Sequence, residues 1–311
     1  MDNFLITLAT VAMLFAYAIP GFILVKTKLI KEQSISAFAF VLMYVCQPCL
    51  TIYSFDQAEF TTETIKHMGI VFGIVFGLMT LFLTVFYFIM RNRFDDIMNR
   101  LYIICTCFGN VAFFGNPLLH SIFGTDSLYI YSTVFFIAMN IIGWTIGCYL
   151  ITKETKYISI KKVFLNPAVL SLIIALPLFF TNTHLITISA RVEEFVMILA
   201  KMTTPLCMLI IGMRLGTMEF KPIFTNYKNY IFCGVKQVIF PLVALLVVYF
   251  LPIETTIKQT VFILCAAPCA VIIQTFAEML GQGQKESVNM VLLSTMTCIV
   301  TLPLLTMIPF N

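Results

Sequence analysis

The residues of this chain that could do chemistry cluster at two interruptions of otherwise apolar segments. The first is Cys107 to Gly124, CFGNVAFFGNPLLHSIFG, where Gly109, Asn110, Gly115, Asn116 and Pro117 fall within nine residues. The second is Cys265 to Phe276, CAAPCAVIIQTF, with Pro268, Cys269 and Gln274. Glycine loosens a helix, and proline removes a backbone donor while clashing with the preceding turn. In hydrocarbon, the backbone groups freed by a break are tolerated only against protein or a water-filled cavity, so each break is a candidate site. Proline suits the first turn of a helix. Pro117 is therefore expected to open a half-helix over about 117–123, and Pro268 one over about 268–280. Two half-helix N-termini, each with about half a positive charge, would converge on one cavity and favour an anion. Asn110 and Asn116 offer amides to such an anion or to the freed backbone, and Gln47 and Gln274 can join them. Pro117, Pro268 and Cys269 frame the set. Lys201 could neutralise the anion, snorkel, or pair with Glu193, Glu194 or Glu278.

Other chemistries find little support. The ten cysteines lie almost entirely in apolar runs, where they act as small packing residues. Cys46 and Cys49 form a C-x-x-C, but neither a histidine nor a second cysteine pair accompanies it, so no metal site is expected. His67 and His184 are scattered, and only His120 stands near a break. There is no H-E-x-x-H, no G-x-S-x-G and no phosphate-binding Gly-Lys-Ser/Thr loop, which argues against an enzyme and against direct use of ATP. No pair of deeply placed aspartates marks a cation site. No cofactor is implied, and a coupling ion, proton or sodium, stays open. Lys236 is expected to snorkel toward the nearer membrane surface, and Glu278 to be an exposed carboxylate at a helix end.

The elements that must position these residues are membrane spans. The chain is 60% hydrophobic and 11% charged, with a mean hydropathy of +0.98. That composition excludes a soluble protein of this size. Apolar runs cover about 4–25, 35–55, 65–90, 97–124, 128–151, 163–181, 192–214, 229–250, 257–280 and 286–308. Each can span a bilayer, giving an all-α polytopic protein of ten helices. The first run reads as a retained span, because no basic residue precedes it and no small-residue cleavage site follows. Alternate loops differ sharply in charge. Fourteen Lys and Arg lie after spans 1, 3, 5, 7 and 9, against three in the remaining loops. The bias predicts both termini on the non-cytoplasmic side of the cell (inner) membrane. The basic residues follow this membrane rule and give no support for nucleic-acid binding.

Ten spans divide into two five-helix repeats, which an odd number forces into opposite orientation. Pro48 and Pro117 in spans 2 and 4 are matched by Pro205 and Pro268 in spans 7 and 9, at intervals of 69 and 63 residues. The expected units are 1–151 and 163–311, joined by a short cytoplasmic linker at 152–162. Gly69, Gly73 and Gly77 in span 3, and Gly143 and Gly147 in span 5, are spaced for close helix packing.

These motifs resemble the auxin efflux carrier family. In GNVAFFGNPLLHSIFG, Asn110, Gly115, Pro117 and Gly124 match that family's fourth-span pattern. AAPCAVIIQTFAEMLG and LLSTMTCIVTLPLLT resemble its ninth and tenth spans, with Pro268 and Pro303 on the matching prolines. Asn166-Pro167 and IIGMRL also fit. The resemblance implies broken helices 4 and 9 crossing at a substrate site, scaffold and transport domains that each mix helices from both repeats, and alternating access. It further implies organic anions as cargo, malate or malonate among prokaryotic members. Two departures limit it: the loop between spans 5 and 6 is short, and Cys269 stands where the plant exporters carry glutamine. The expected function is secondary transport of a small mono- or dicarboxylate, with the lipid bilayer and a second copy of the chain as candidate partners. The alternatives are a sodium-coupled symporter of bile-acid-transporter type and a non-transporting membrane sensor.

Overall fold

The computed structural model describes residues 2–218 and 224–309, and among these the chain is helical throughout, without a strand. Lys221, counted above with the cytoplasmic loops, lies outside the described residues, as do Met1 and Asn311. In order, the helices are α1 (Asp2–Lys26), α2 (Glu32–Asp56), α3 (Thr62–Arg93), α4 (Ile97–Cys105), α5 (Val111–Phe123) and α6 (Tyr129–Thr152). There follow α7 (Thr155–Leu170), α8 (Leu172–Phe180), a single turn at Leu185–Ile188, α9 (Ala190–Thr217), α10 (Tyr227–Tyr249), α11 (Thr255–Ala266), α12 (Val271–Leu280) and α13 (Gln284–Leu305). Seven of these are long and apolar enough to cross a bilayer, and α7 with α8, bent by 62°, makes an eighth. This is a multi-pass membrane protein. The short apolar helices α5, α11 and α12, with α4, flank the two breaks.

Proline shapes the helices through wide turns. Five-residue π turns at Leu42–Cys46, Val111–Gly115 and Val235–Ile239 each begin six residues before a proline: Pro48, Pro117 and Pro241. Proline cannot donate to the carbonyl four residues back and its ring collides with it, and a π turn absorbs both faults without ending the helix. The π turn Val111–Gly115 leads into the α-helical part of α5, Asn116–Phe123, and Pro117 stands in the first turn of that part, as expected. The start of the second half-helix is corrected. α12 begins at Val271, because Pro268 lies in the extended link and uses its carbonyl elsewhere. Both half-helices end on a left-handed glycine, Gly124 at φ +70° and Gly281 at φ +69°, where a β-carbon would be strained.

Packing sorts the helices. α9 lies along α1 and α2, and α2 along α8. Elsewhere α3 packs on α6, α10 on α11, and α12 on α13. Helices α1 and α9 approach closely at glycines. A Cβ on Gly21 would collide with the Leu209 carbonyl, and one on Gly212 with the carbonyl of Ala18. The expected glycine face of α3 does not pack, since a Cβ at Gly69, Gly73 or Gly77 would meet nothing within 4 Å. Gly143 does serve packing, against the ring of Phe276.

Candidate functional site

The two breaks meet. Helix α4 ends at Cys105 and the helix resumes at Val111; α11 ends at Ala266 and the helix resumes at Val271. Between them Gly109 and Cys269 form an antiparallel bridge. Asn110 N–H donates to Pro268 O at 2.7 Å, and Ala270 N–H donates to Phe108 O at 3.0 Å. Each break thus satisfies backbone groups that the other frees, which is what a bilayer interior demands. Space at Gly109 is tight, since a Cβ there would stand 3.3 Å from both Leu264 O and Lys236 Nζ, and these would have to give by a few tenths of an ångström. Helices α5 and α12 each begin two residues after the bridge, so their N-terminal N–H groups and partial positive charges face the crossing together.

Behind the crossing stand α10 and α13. Ser294 Oγ accepts from Cys269 N–H at 3.0 Å, and the Cys269 thiol donates to Cys105 O at 3.5 Å. Gln237 donates to Ser294 O and accepts from Thr297 at 2.8 Å. Lys236 departs from expectation. It does not snorkel but is fully buried, with Nζ 2.6 Å from Cys265 O and 2.8 Å from Ala267 O. A chain terminus of α11 with unused carbonyls draws the ammonium inward more strongly than the distant surface does.

Alongside α5, beginning at Ala112 just past the crossing, lies a cavity of about 250 Å³ walled by α1, α2, α5 and α9; none of its lining residues comes from α11 or α12. Asn116, Pro117, His120, Asp126, Tyr53 and Lys201 line its polar part. Asp126, in the 124–128 loop, is the hub. Its carboxylate accepts from Tyr53 Oη at 2.7 Å and lies 2.7 Å from His120 Nδ1. Lys201 Nζ is 3.9 Å away, not beside Glu193, Glu194 or Glu278. Burial works against the Asp126 charge, but hydrogen bonds from Tyr53, Tyr129 and His120 outweigh it and hold the carboxyl below its ordinary range. Lys201 is 57% exposed, so its ammonium remains available to an arriving group. Both polar atoms of the Asn116 side chain are buried and have no hydrogen-bond partner among the described residues. Asn110 Nδ2 and Gln47 Oε1 share that condition. An unpartnered buried amide costs about 1–3 kcal/mol and calls for a ligand or a reason.

Of the residues singled out from sequence, Asn116, Pro117 and Lys201 therefore line the cavity. Asn110 and Pro268 form the crossing itself, and Cys269 faces α13 and Cys105. Gln47 is buried in α2 beside Pro48. Gln274 lies elsewhere: it donates to Glu278 at 2.8 Å, and Glu278 accepts from Arg214 at 2.8 Å. Glu278 is exposed near the end of its helix, as expected, and is paired there with Arg214. With Arg214 and Lys31 it borders a second cavity of about 860 Å³ at the other end of α9. Tyr53 and Asp126 escaped the sequence reading. A lone acid six residues after His120 was the only signal, and nothing in the chain tied it to Lys201, 75 residues away.

No curated protein matches the chain. The family described as membrane transport protein matches residues 6–162 and 155–306, nearly the whole length. With its apolar helices interrupted at the two breaks and the breaks paired as described, the chain belongs to this membrane transport protein family.

Proposed function

We propose that the protein is a secondary carrier of a small organic anion, a mono- or dicarboxylate, working by alternating access around the crossing of its broken spans. The observation that carries this reading is the Asn116 amide. It is buried and unpartnered at the wall of a cavity that also holds the Lys201 ammonium and lies over the N-terminus of α5. Amide donors, an exposed cation and a helix N-terminus are together suited to a carboxylate.

Pairing α4 with α5, α7 with α8 and α11 with α12 as single broken spans gives ten, read here as two inverted repeats, 1–151 and 163–311, about the 152–162 linker. The reciprocal bonds at the crossing and the left-handed glycines closing both half-helices support that symmetry. Scaffold and transport domains follow the packing groups. α9 of the scaffold grips one side through Arg214–Glu278 at 2.8 Å and the other through Lys201–Asp126, slack at 3.9 Å. The cavity opens on the slack side, which the charge bias makes non-cytoplasmic. Exchanging which pair is tight would carry the site across the membrane.

The test is uptake by proteoliposomes across a panel of radiolabelled mono- and dicarboxylates. Saturable uptake of one acid, weakened by Asn110→Ala and Lys201→Ala in folded protein, is the expected result. Binding of an acid without flux across the sealed bilayer would replace the carrier reading with a sensor.

A further inference from the structure

Lys236 sits in the π turn Val235–Ile239 of α10, wholly buried, at the rear of the crossing. Its two carbonyl partners, Cys265 O and Ala267 O, belong to the last turn of α11 and the start of the break. Distances of 2.6 and 2.8 Å are those of charge-assisted bonds. The Phe240 ring lies 5.0 Å from Nζ, another contact suited to a cation. No ion pair among the described residues includes Lys236. A charge within a membrane span is costly and is kept where it has work to do. The carbonyls at the C-terminal end of a broken helix carry partial negative charge and are suited to coordinating a small cation. Here an ammonium on a four-carbon stem already fills that position.

We propose that Lys236 is a tethered cation that occupies the carbonyl cluster at the end of α11, so that the carrier cycles without binding sodium or potassium there. Only the part concerning the transport cycle rests on the carrier reading above; occupancy of the cluster does not. The π turn contributes directly. It places Lys236 at the start of a wide turn that begins six residues ahead of Pro241, at the level of the α11 carbonyls it meets.

The experiment needs no cargo, so its outcome is independent of the anion assignment. Purified full-length protein is assayed for saturable ²²Na⁺ binding, and its thermal unfolding is followed in equimolar sodium, potassium and choline chloride. The wild type should show no saturable ²²Na⁺ binding and superimposable melting curves in the three salts. Lys236→Ala, which uncovers the carbonyls, should melt several degrees lower in choline and regain part of that loss in sodium. Saturable ²²Na⁺ binding to the wild type, or a sodium-specific rise in its melting temperature, would overturn the proposal. So would a Lys236→Ala variant that melts like the wild type in choline, or one destabilised equally in all three salts. Should that variant fail to fold, the two wild-type measurements decide alone.

Discussion

Replacing Asn116 by leucine should separate binding from stability, because the same amide acts oppositely on the two. Leucine branches at the same side-chain atom and brings no polar group, and the adjoining cavity of about 250 Å³ leaves room for its extra bulk. Both amide atoms of Asn116 are buried without hydrogen-bond partners among the described residues. Each such group costs about 1–3 kcal/mol relative to one that is paired. Removing them should leave the melting temperature unchanged or raised. A carboxylate accepting from Asn116 would lose a charge-assisted bond worth roughly 1.5–3 kcal/mol. At about 1.4 kcal/mol per decade, that is a loss of roughly 10- to 150-fold in apparent affinity. The assay pairs uptake of the transported acid, read as KM and maximal rate, with thermal unfolding of the same preparation. A variant that melts lower and transports normally would make Asn116 a brace of the π turn, and the cavity assignment would fall with it.

Three further outcomes follow from the geometry. Gly212→Ala places a Cβ against the backbone carbonyl of Ala18, which no side-chain rotation can relieve, so α1 and α9 must part; about 1–3 kcal/mol should be lost and the unfolding midpoint should drop. An unchanged midpoint would mean that these helices do not approach so closely. Gly124→Ala forces a Cβ into a left-handed conformation at φ +70° in open space, so a smaller loss of about 1 kcal/mol is expected from strain alone, with Gly124→Asn recovering part of it. For Asp126, whose carboxyl is held below its ordinary value of 3.8, the network contributes stability that is complete above that value. It is lost as pH falls through the lower folded-state pKa. The melting difference between wild type and Asp126→Asn should therefore be present at neutral pH and vanish in strong acid. A difference that grew on acidification would contradict the assignment.

Much of this protein was legible before any coordinates. The scarcity of charge, the apolar runs and the alternation of basic loops reflect transfer free energies that act residue by residue, and a linear sequence records them faithfully. The breaks at Gly109 to Pro117 and Ala267 to Pro268 were visible for the same reason: glycine and proline alter the backbone at their own positions. Where the half-helices begin was less legible. Pro117 does open the α-helical part of α5, but the π turn that precedes it from Val111 depends on what the neighbouring carbonyls can bond, and Pro268 lies ahead of its half-helix in the extended link. Gly69, Gly73 and Gly77 carry a packing signature that the fold leaves unused, while the Gly212-x-x-x-Gly216 pair of α9, equally visible in the sequence, does pack closely, against Ala18, Phe22 and Val25 of α1.

What only the tertiary structure decided is partnership across the chain. Asn110 and Pro268 share a hydrogen bond 158 residues apart, and Asp126 meets Tyr53 across 73. Lys236, indistinguishable by sequence from a snorkelling lysine, turns inward to carbonyls 29 and 31 residues further on. Hydropathy and helix punctuation are one-body properties, set by each side chain and its immediate neighbours. Which carbonyl receives which ammonium, and which amide is left without a partner, are many-body outcomes of packing that no local pattern encodes.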